Sequence, residues 1–169
     1  MDHPAIAIRP ALPDDHDLVT AILAAAYARL DDGSYDRDRL SEALPMMSKA
    51  NPRLLASGTY FIAMSDGEPA GCGGWTPEAP GTGAIEPGVG HIRHFATHPD
   101  HLRKGVAQAL LRHCLDEARA AGVTLMRSHS TLPAQRFYAS AGFTRVRDIE
   151  VAMGPDVALP AIEMELRLD

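Results

Sequence analysis

Between His91 and Arg127 the chain changes its period twice. His91-Ile-Arg-His-Phe-Ala-Thr97 is β-prone and is closed by His98-Pro99. From Gly105 to Ala121 the residues Val106, Ala109, Leu110, Leu111, Cys114, Leu115 and Ala118 form one apolar stripe at helical spacing, and Gly122 stands at the usual stop. Val123 to Arg127 is apolar and extended again. A strand, a long helix and a second strand joined by short turns return to one sheet as a right-handed crossover, which makes the two strands parallel.

The remaining segments are antiparallel in character. Ala5 to Arg9 predicts a short edge strand closed by Pro10, and Asp14-Asp15 precedes a helix carrying Leu18, Ile22, Leu23, Ala26 and Leu30. Turn chemistry from Leu30 to Tyr35 leads to a more polar helix from Asp36 to about Lys49, ending before Asn51-Pro52. Thr59 to Met64 and Ala70 to Thr76 read as a hairpin around Ser65-Asp-Gly-Glu68. With three prolines and four glycines, residues 77 to 90 read as a loop. Pro133 to Ala141 predicts a short helix and Phe143 to Val151 a strand; after the break at Met153-Gly-Pro155, Ala161 to Leu168 alternates as a half-buried strand. With 169 residues and neither internal repeats nor low-complexity tracts, residues 1–169 are expected to form one α+β domain.

Charge and cysteine usage narrow the function. The net charge of −6, from 16 basic and 22 acidic residues, argues against a main role in gripping nucleic acid or an anionic membrane. No secretory signal and no apolar run of membrane-spanning length is seen, and Cys72 and Cys114 are too few and too distant for a disulfide scaffold. A reduced, cytoplasmic protein with both cysteines in its core is expected.

The charge is unevenly spread. From His91 to Arg112 four Arg or Lys stand against one Asp, a local +3 inside the chain of −6. The centre of this island is the turn from Arg103 to Gln108, which opens the long helix. The first amides of a helix have no intrahelical acceptor and its dipole favours negative charge there, so Gly105, the small Ala107 and the Arg103-Lys104 pair suit a small polyanion. The turn lacks the Gly-Lys-Ser/Thr of a Walker loop and the three glycines of a Rossmann fingerprint.

Arg103-Lys-Gly-Val-Ala107, with Ala-Leu-Leu111 following, resembles the acetyl-CoA pyrophosphate loop of the GNAT N-acetyltransferase superfamily. Ala134-Gln-Arg-Phe-Tyr-Ala-Ser-Ala-Gly-Phe143 is similar to that family's second motif, and Ile8-Arg-Pro-Ala11 with Asp14-Asp15 to its first strand and helix. The resemblance implies a mixed, mostly antiparallel central sheet of about seven strands flanked by about four helices. It implies acetyl-CoA as cosubstrate, its pantetheine arm beside a strand bulge at Phe95, Ala96 and Thr97, and its pyrophosphate on Arg103, Lys104, Gly105, Val106, Ala107 and Gln108. Tyr138 falls on the tyrosine that protonates the departing thiolate.

Three positions depart from the family pattern. Leu102 stands where the loop usually opens with Gln or Arg, Pro133 where Asn or Ser/Thr often precedes the tyrosine, and Arg93 where some members carry a Glu base. A histidine on that strand then becomes the expected base, His91 first, with His94 and Glu86 in reserve. Strand alternation puts His91, Arg93 and Phe95 on one face and Ile92 and His94 on the other, so His91, His94, His98 and His101 are not expected to hold a metal. The expected reaction is acetyl transfer from acetyl-CoA to a primary amine by direct attack in a ternary complex, the alternative being a non-catalytic CoA-binding or sensor module. A small-molecule or peptide amine is the expected partner, with a homodimer left open. Asp31, Asp32, Asp36, Asp38 and Glu42 are candidates to attract a cationic amine.

Overall fold

The computed structural model describes residues 5–169. The chain runs β1 (Ile6–Pro10), α1 (His16–Tyr27), α2 (Arg37–Met47), α3 (Pro52–Leu55), β2 (Tyr60–Ser65), β3 (Glu68–Thr76), β4 (Val89–Thr97), α4 (Val106–Ala120), β5 (Leu125–Ser130), α5 (Gln135–Ser140), β6 (Thr144–Ala152) and β7 (Ala158–Arg167). The seven strands form one sheet in the order β1-β2-β3-β4-β5-β7-β6. Only β4 and β5 pair in parallel, joined by α4 as the sequence requires.

A core lies on each face of the sheet. Tyr60, Ile62, Cys72 and Ala96 face α1, α2 and α3, with Val19, Ile22, Leu23 and Leu40 against them. Phe61, Ala63, Trp75, Ile92, Met126 and Met164 face α4 and α5, where Val106, Leu110, Leu111 and Cys114 pack. β2 is therefore buried on both sides, which explains its continuous apolar run. Among the described residues no helix is long and apolar enough to cross a membrane.

Several boundaries differ from the sequence expectation. The turn after Asn51 closes into α3, with the Asn51 side chain accepting from the Arg53 amide. The segment 77–90 gives up Val89 and Gly90 to β4. β5 starts two residues later than expected and runs through Ser128-His129-Ser130, polar residues that its antiparallel pairing with β7 holds extended. β7 begins at Ala158, before the expected Ala161, because the Met153 amide donates to the Val157 carbonyl and closes the hairpin early.

The seat of α4 depends on Gly71. A Cβ there would lie 2.7 Å from Val106 Cγ1 and 3.0 Å from the Ala96 carbonyl oxygen, so the first turn of α4 rests against bare backbone of β3. Gly71→Ala is expected to overpack this contact at a cost of about 1–3 kcal/mol, lowering Tm by several degrees. Thermal melting checks it, and an unchanged Tm would show that α4 can move aside freely.

Candidate active site

The cleft originates in an irregularity of β4. Cys72 of β3 faces Ala96 and Gly74 faces Arg93, so the single residue Gly73 stands opposite both His94 and Phe95. His94 takes φ +51° to accommodate the extra residue. Its carbonyl accepts from the Tyr60 hydroxyl at 2.8 Å, and the Phe95 carbonyl accepts from the Tyr27 hydroxyl at 3.2 Å. Gly73 is required beneath, since a Cβ there would lie 2.5 Å from the Phe95 ring.

This bulge lies at His94–Phe95, earlier than the expected Phe95 to Thr97, and it overturns the expected facing. The extra residue shifts the alternation by one. His94 joins His91 and Arg93 on the α1 side, beside the Tyr27 ring at 6.0 Å between centroids, while Phe95 packs with Ile92 on the α4 side. His91 and His94 therefore do not leave opposite faces of the strand; among the described residues no three His, Cys, Asp or Glu side chains converge.

Just before the bulge β4 also leaves its neighbour β5. Pairing with β5 covers Val89↔Leu125, Gly90↔Met126 and His91↔Arg127 and goes no further. The gap is a cleft of about 460 Å³, with Ile92, His94, Phe95, Ala96 and Thr97 on one wall and His129, Thr131, Phe137 and Tyr138 on the other. Thr97, Leu102, Ala107 and Phe137 also wall an adjoining hollow of about 340 Å³, lined further by Arg103, Gly105, Val106 and Gln108.

That hollow is the N-terminus of α4. Ala109 is the first residue whose amide bonds back, to the Gly105 carbonyl, so the amides of Val106, Ala107 and Gln108 have no helical acceptor. Gly105 takes φ +81° and nothing lies within 4 Å of where its Cβ would be, which leaves the cradle open. The Lys104 ammonium instead sits 3.3 Å from His101 Nδ1, outside the lining of the hollow.

Tyr138 is 5% exposed and lies edge-on between Phe137 and Phe143. Burial raises its phenol pKa, partly opposed by the Ser128 hydroxyl, so the group stays protonated and can donate. His91 is buried outside the lining of the cleft, next to Arg127, and burial followed by the charges of Arg127, His129 and Arg93 pushes it down to about 4. His94 does line the cleft and is pushed down to about 4 by burial and then by Arg93. Glu86 is exposed and lies 3.7 Å from Arg127.

The acidic residues expected to draw a cation are used elsewhere or lie exposed outside the cleft lining. Asp31 pairs with Arg37 at 3.5 Å, Asp32 holds the Ser34 amide, Asp36 caps α2, and Asp38 and Glu42 are exposed on α2. None lines the cleft, whereas Arg29 does. The sequence reading misses His129, because the apolar run that marks the strand stops at Arg127; the signal is the match of Arg127 and His129 to Glu165 and Glu163 at the same alternation.

Residues 22–143 match the family model described as the acetyltransferase (GNAT) family. The uncharacterized N-acetyltransferase YsnE of Bacillus subtilis is 32% identical over 90 residues, 50% of this chain and 55% of that protein. That match spans about half the length of the curated relative. A GCN5-related N-acetyltransferase structure from Rhodopseudomonas palustris is similar with a TM-score of 0.79 and 24% identity over 99% of both chains. The structure of YncA from Salmonella typhimurium with acetyl-CoA gives a TM-score of 0.63 and 22% identity over 98% of this chain and 95% of that one. At these identities the solved structures establish the fold.

The bulge carbonyls supply the test of this geometry. Tyr60→Phe leaves the His94 carbonyl without its donor and is expected to destabilise the chain by about 1–3 kcal/mol. Urea unfolding measures it, and an unchanged midpoint would mean that the bulge does not need that hydroxyl.

Proposed function

Because this chain belongs to the GNAT acetyltransferase family, we propose that it moves an acetyl group from acetyl-CoA to the nitrogen of an amine, by direct attack in a ternary complex. One observation carries the reading: two adjoining hollows that share Thr97, Leu102, Ala107 and Phe137 in their walls lie at the unpaired amides of α4 and at the buried, protonated phenol of Tyr138. The amides of Val106, Ala107 and Gln108, with Arg103 and Gly105, would hold the pyrophosphate through backbone donors and the helix dipole. The backbone of Phe95, Ala96 and Thr97, left without a strand partner on the β5 side, would pair with the pantetheine arm as another strand would. Lys104 would add charge from outside the hollow.

Tyr138 would donate its proton to the sulfur as the carbon–sulfur bond breaks and the carbon–nitrogen bond forms. A phenol kept protonated by burial is a fit donor to a thiolate. The nitrogen of the acceptor enters as an ammonium and leaves as an amide. Of the two protons it loses, one is released to solvent and the other makes good the proton that Tyr138 gave to sulfur.

The acceptor end favours an amine that also carries an anionic group over a polycation. Arg29 is its charged side chain, beside Tyr27, Leu30, Met47 and Met153, and among the described residues no carboxylate lines it. Both cysteines are buried free thiols, which supports a reducing compartment such as the cytoplasm.

A panel of amines with acetyl-CoA and thiol detection is expected to show turnover, highest for acceptors bearing a carboxylate or other anion. Tyr138→Phe is expected to lower kcat by about 10²-fold while leaving acetyl-CoA affinity little changed. Full turnover by that variant across pH would remove the acid role, and tight CoA binding with no turnover for any amine would leave a binding module.

A further inference from the structure

The polar face of β5, β6 and β7 holds side chains that acetyl transfer as described above leaves unused. His129 of β5 stands opposite Glu163 of β7, and Glu163 opposite Arg147 of β6. Directly opposed residues share a face and lie side by side, so the three form one row across the sheet. Arg147 Nε donates to Glu163 Oε2 at 3.0 Å, and Glu163 Oε1 lies 3.7 Å from His129 Nε2. The Glu163 side chain is only 9% exposed, whereas that of Arg147 is 68% exposed. The row thus runs from solvent, through a sealed carboxylate, to an imidazole in the wall of the cleft that Tyr138 also lines.

We propose that His129 is the proton acceptor for the amine, oriented by Glu163 and Arg147. The proposal rests on the acetyl-transfer reading of the same cleft. An ammonium nitrogen has no lone pair, so one N–H bond must break before the carbon–nitrogen bond can form. His129 takes that proton and passes it to solvent, which returns the ring to its neutral state. In the tautomer that carries its hydrogen on Nε2, the nitrogen 3.7 Å from Glu163 Oε1, Nδ1 holds the lone pair that would receive the proton. Glu163 and Arg147 are positioning residues, in the sense that a third group orients a catalytic base.

The charged and titratable groups facing His129 are Glu163 from β7, Arg127 on β5, Arg147 on β6 and His91 on β4. Burial and the two arginines hold the imidazole below its ordinary value, and Glu163 opposes them. The ring is therefore neutral and able to accept a proton near pH 7. His94, the other imidazole of the cleft, has Arg93 beside it, and among the described residues no carboxylate is a cause of its shift.

The test is kcat against pH at saturating acetyl-CoA for the full chain and for His129→Gln and Glu163→Gln, together with a ring-proton NMR titration of His129. Because the neutral ring is the working form, the rate of the unaltered chain falls as pH drops through the His129 pKa, which lies below about 6.5. His129→Gln is expected to lower kcat at pH 7 by about 10²-fold and to lose this acid limb, with the KM for acetyl-CoA unchanged. Glu163→Gln removes the group that favours the charged ring. It is expected to move both the acid limb and the NMR titration to lower pH, a displacement that loss of packing alone would not produce.

Wild-type kcat and acid limb in His129→Gln, or an unmoved titration in Glu163→Gln, would overturn the proposal while leaving acetyl transfer intact. Absence of thiol release by the unaltered chain with every amine would overturn both. Should His129→Gln fail to fold, the Glu163→Gln displacement decides.

Discussion

One residue more in β4 than in the facing stretch of β3 sets the geometry of the site. Placing His94 and Phe95 opposite Gly73 turns His94 to the α1 face and Phe95 to the α4 face. β4 has already parted from β5 after His91, just before this bulge, and the gap becomes the cleft. Such a rupture in the middle of a sheet exposes backbone groups that would be costly to bury unpaired. Tyr60 and Tyr27 meet two of them, and the remainder on the β5 side are what an extended ligand can pair with.

The two ends of the cleft then acquire opposite chemistry from the elements nearest to them. The α4 end offers amides, a helix dipole and Arg103, and Gly71 beneath Val106 keeps that end close to β3. The far end offers neutral imidazoles and a protonated phenol, all desolvated by the same packing. Burial acts in one direction on each group, toward the uncharged form, so that end holds a proton donor and proton acceptors together near neutral pH. Acetyl transfer to an amine needs this pair of functions.

The sequence carried the crossover, the glycine turn and the Tyr138 segment plainly, because each is local: a period, a φ-positive glycine and a stop signal lie within a few residues of one another. The seven-strand mixed sheet follows from them and from the hairpins. What the sequence did not carry depends on partners far along the chain. The bulge at His94 arises from pairing with β3 around Gly73, and without it strict alternation sends His94 and Phe95 to the wrong faces. His129 is framed only when β7 brings Glu163 across from it, 34 residues later. Likewise Asp31 and Asp36 read as an acidic face, while the fold uses them on Arg37 and on the cap of α2.

The central claim is that the parting of β4 from β5 and the N-terminus of α4 form one binding cleft for acetyl-CoA. Amide chemical shifts followed by NMR during acetyl-CoA titration test it most directly, with adenosine 3′,5′-bisphosphate as a ligand lacking the pantetheine arm. Acetyl-CoA is expected to move the amides of Phe95 to Thr97 and of Gly105 to Gln108 together, and the truncated ligand to leave Phe95 to Thr97 in place. Acetyl-CoA shifts confined to another surface, or no movement at Phe95 to Thr97, would contradict it.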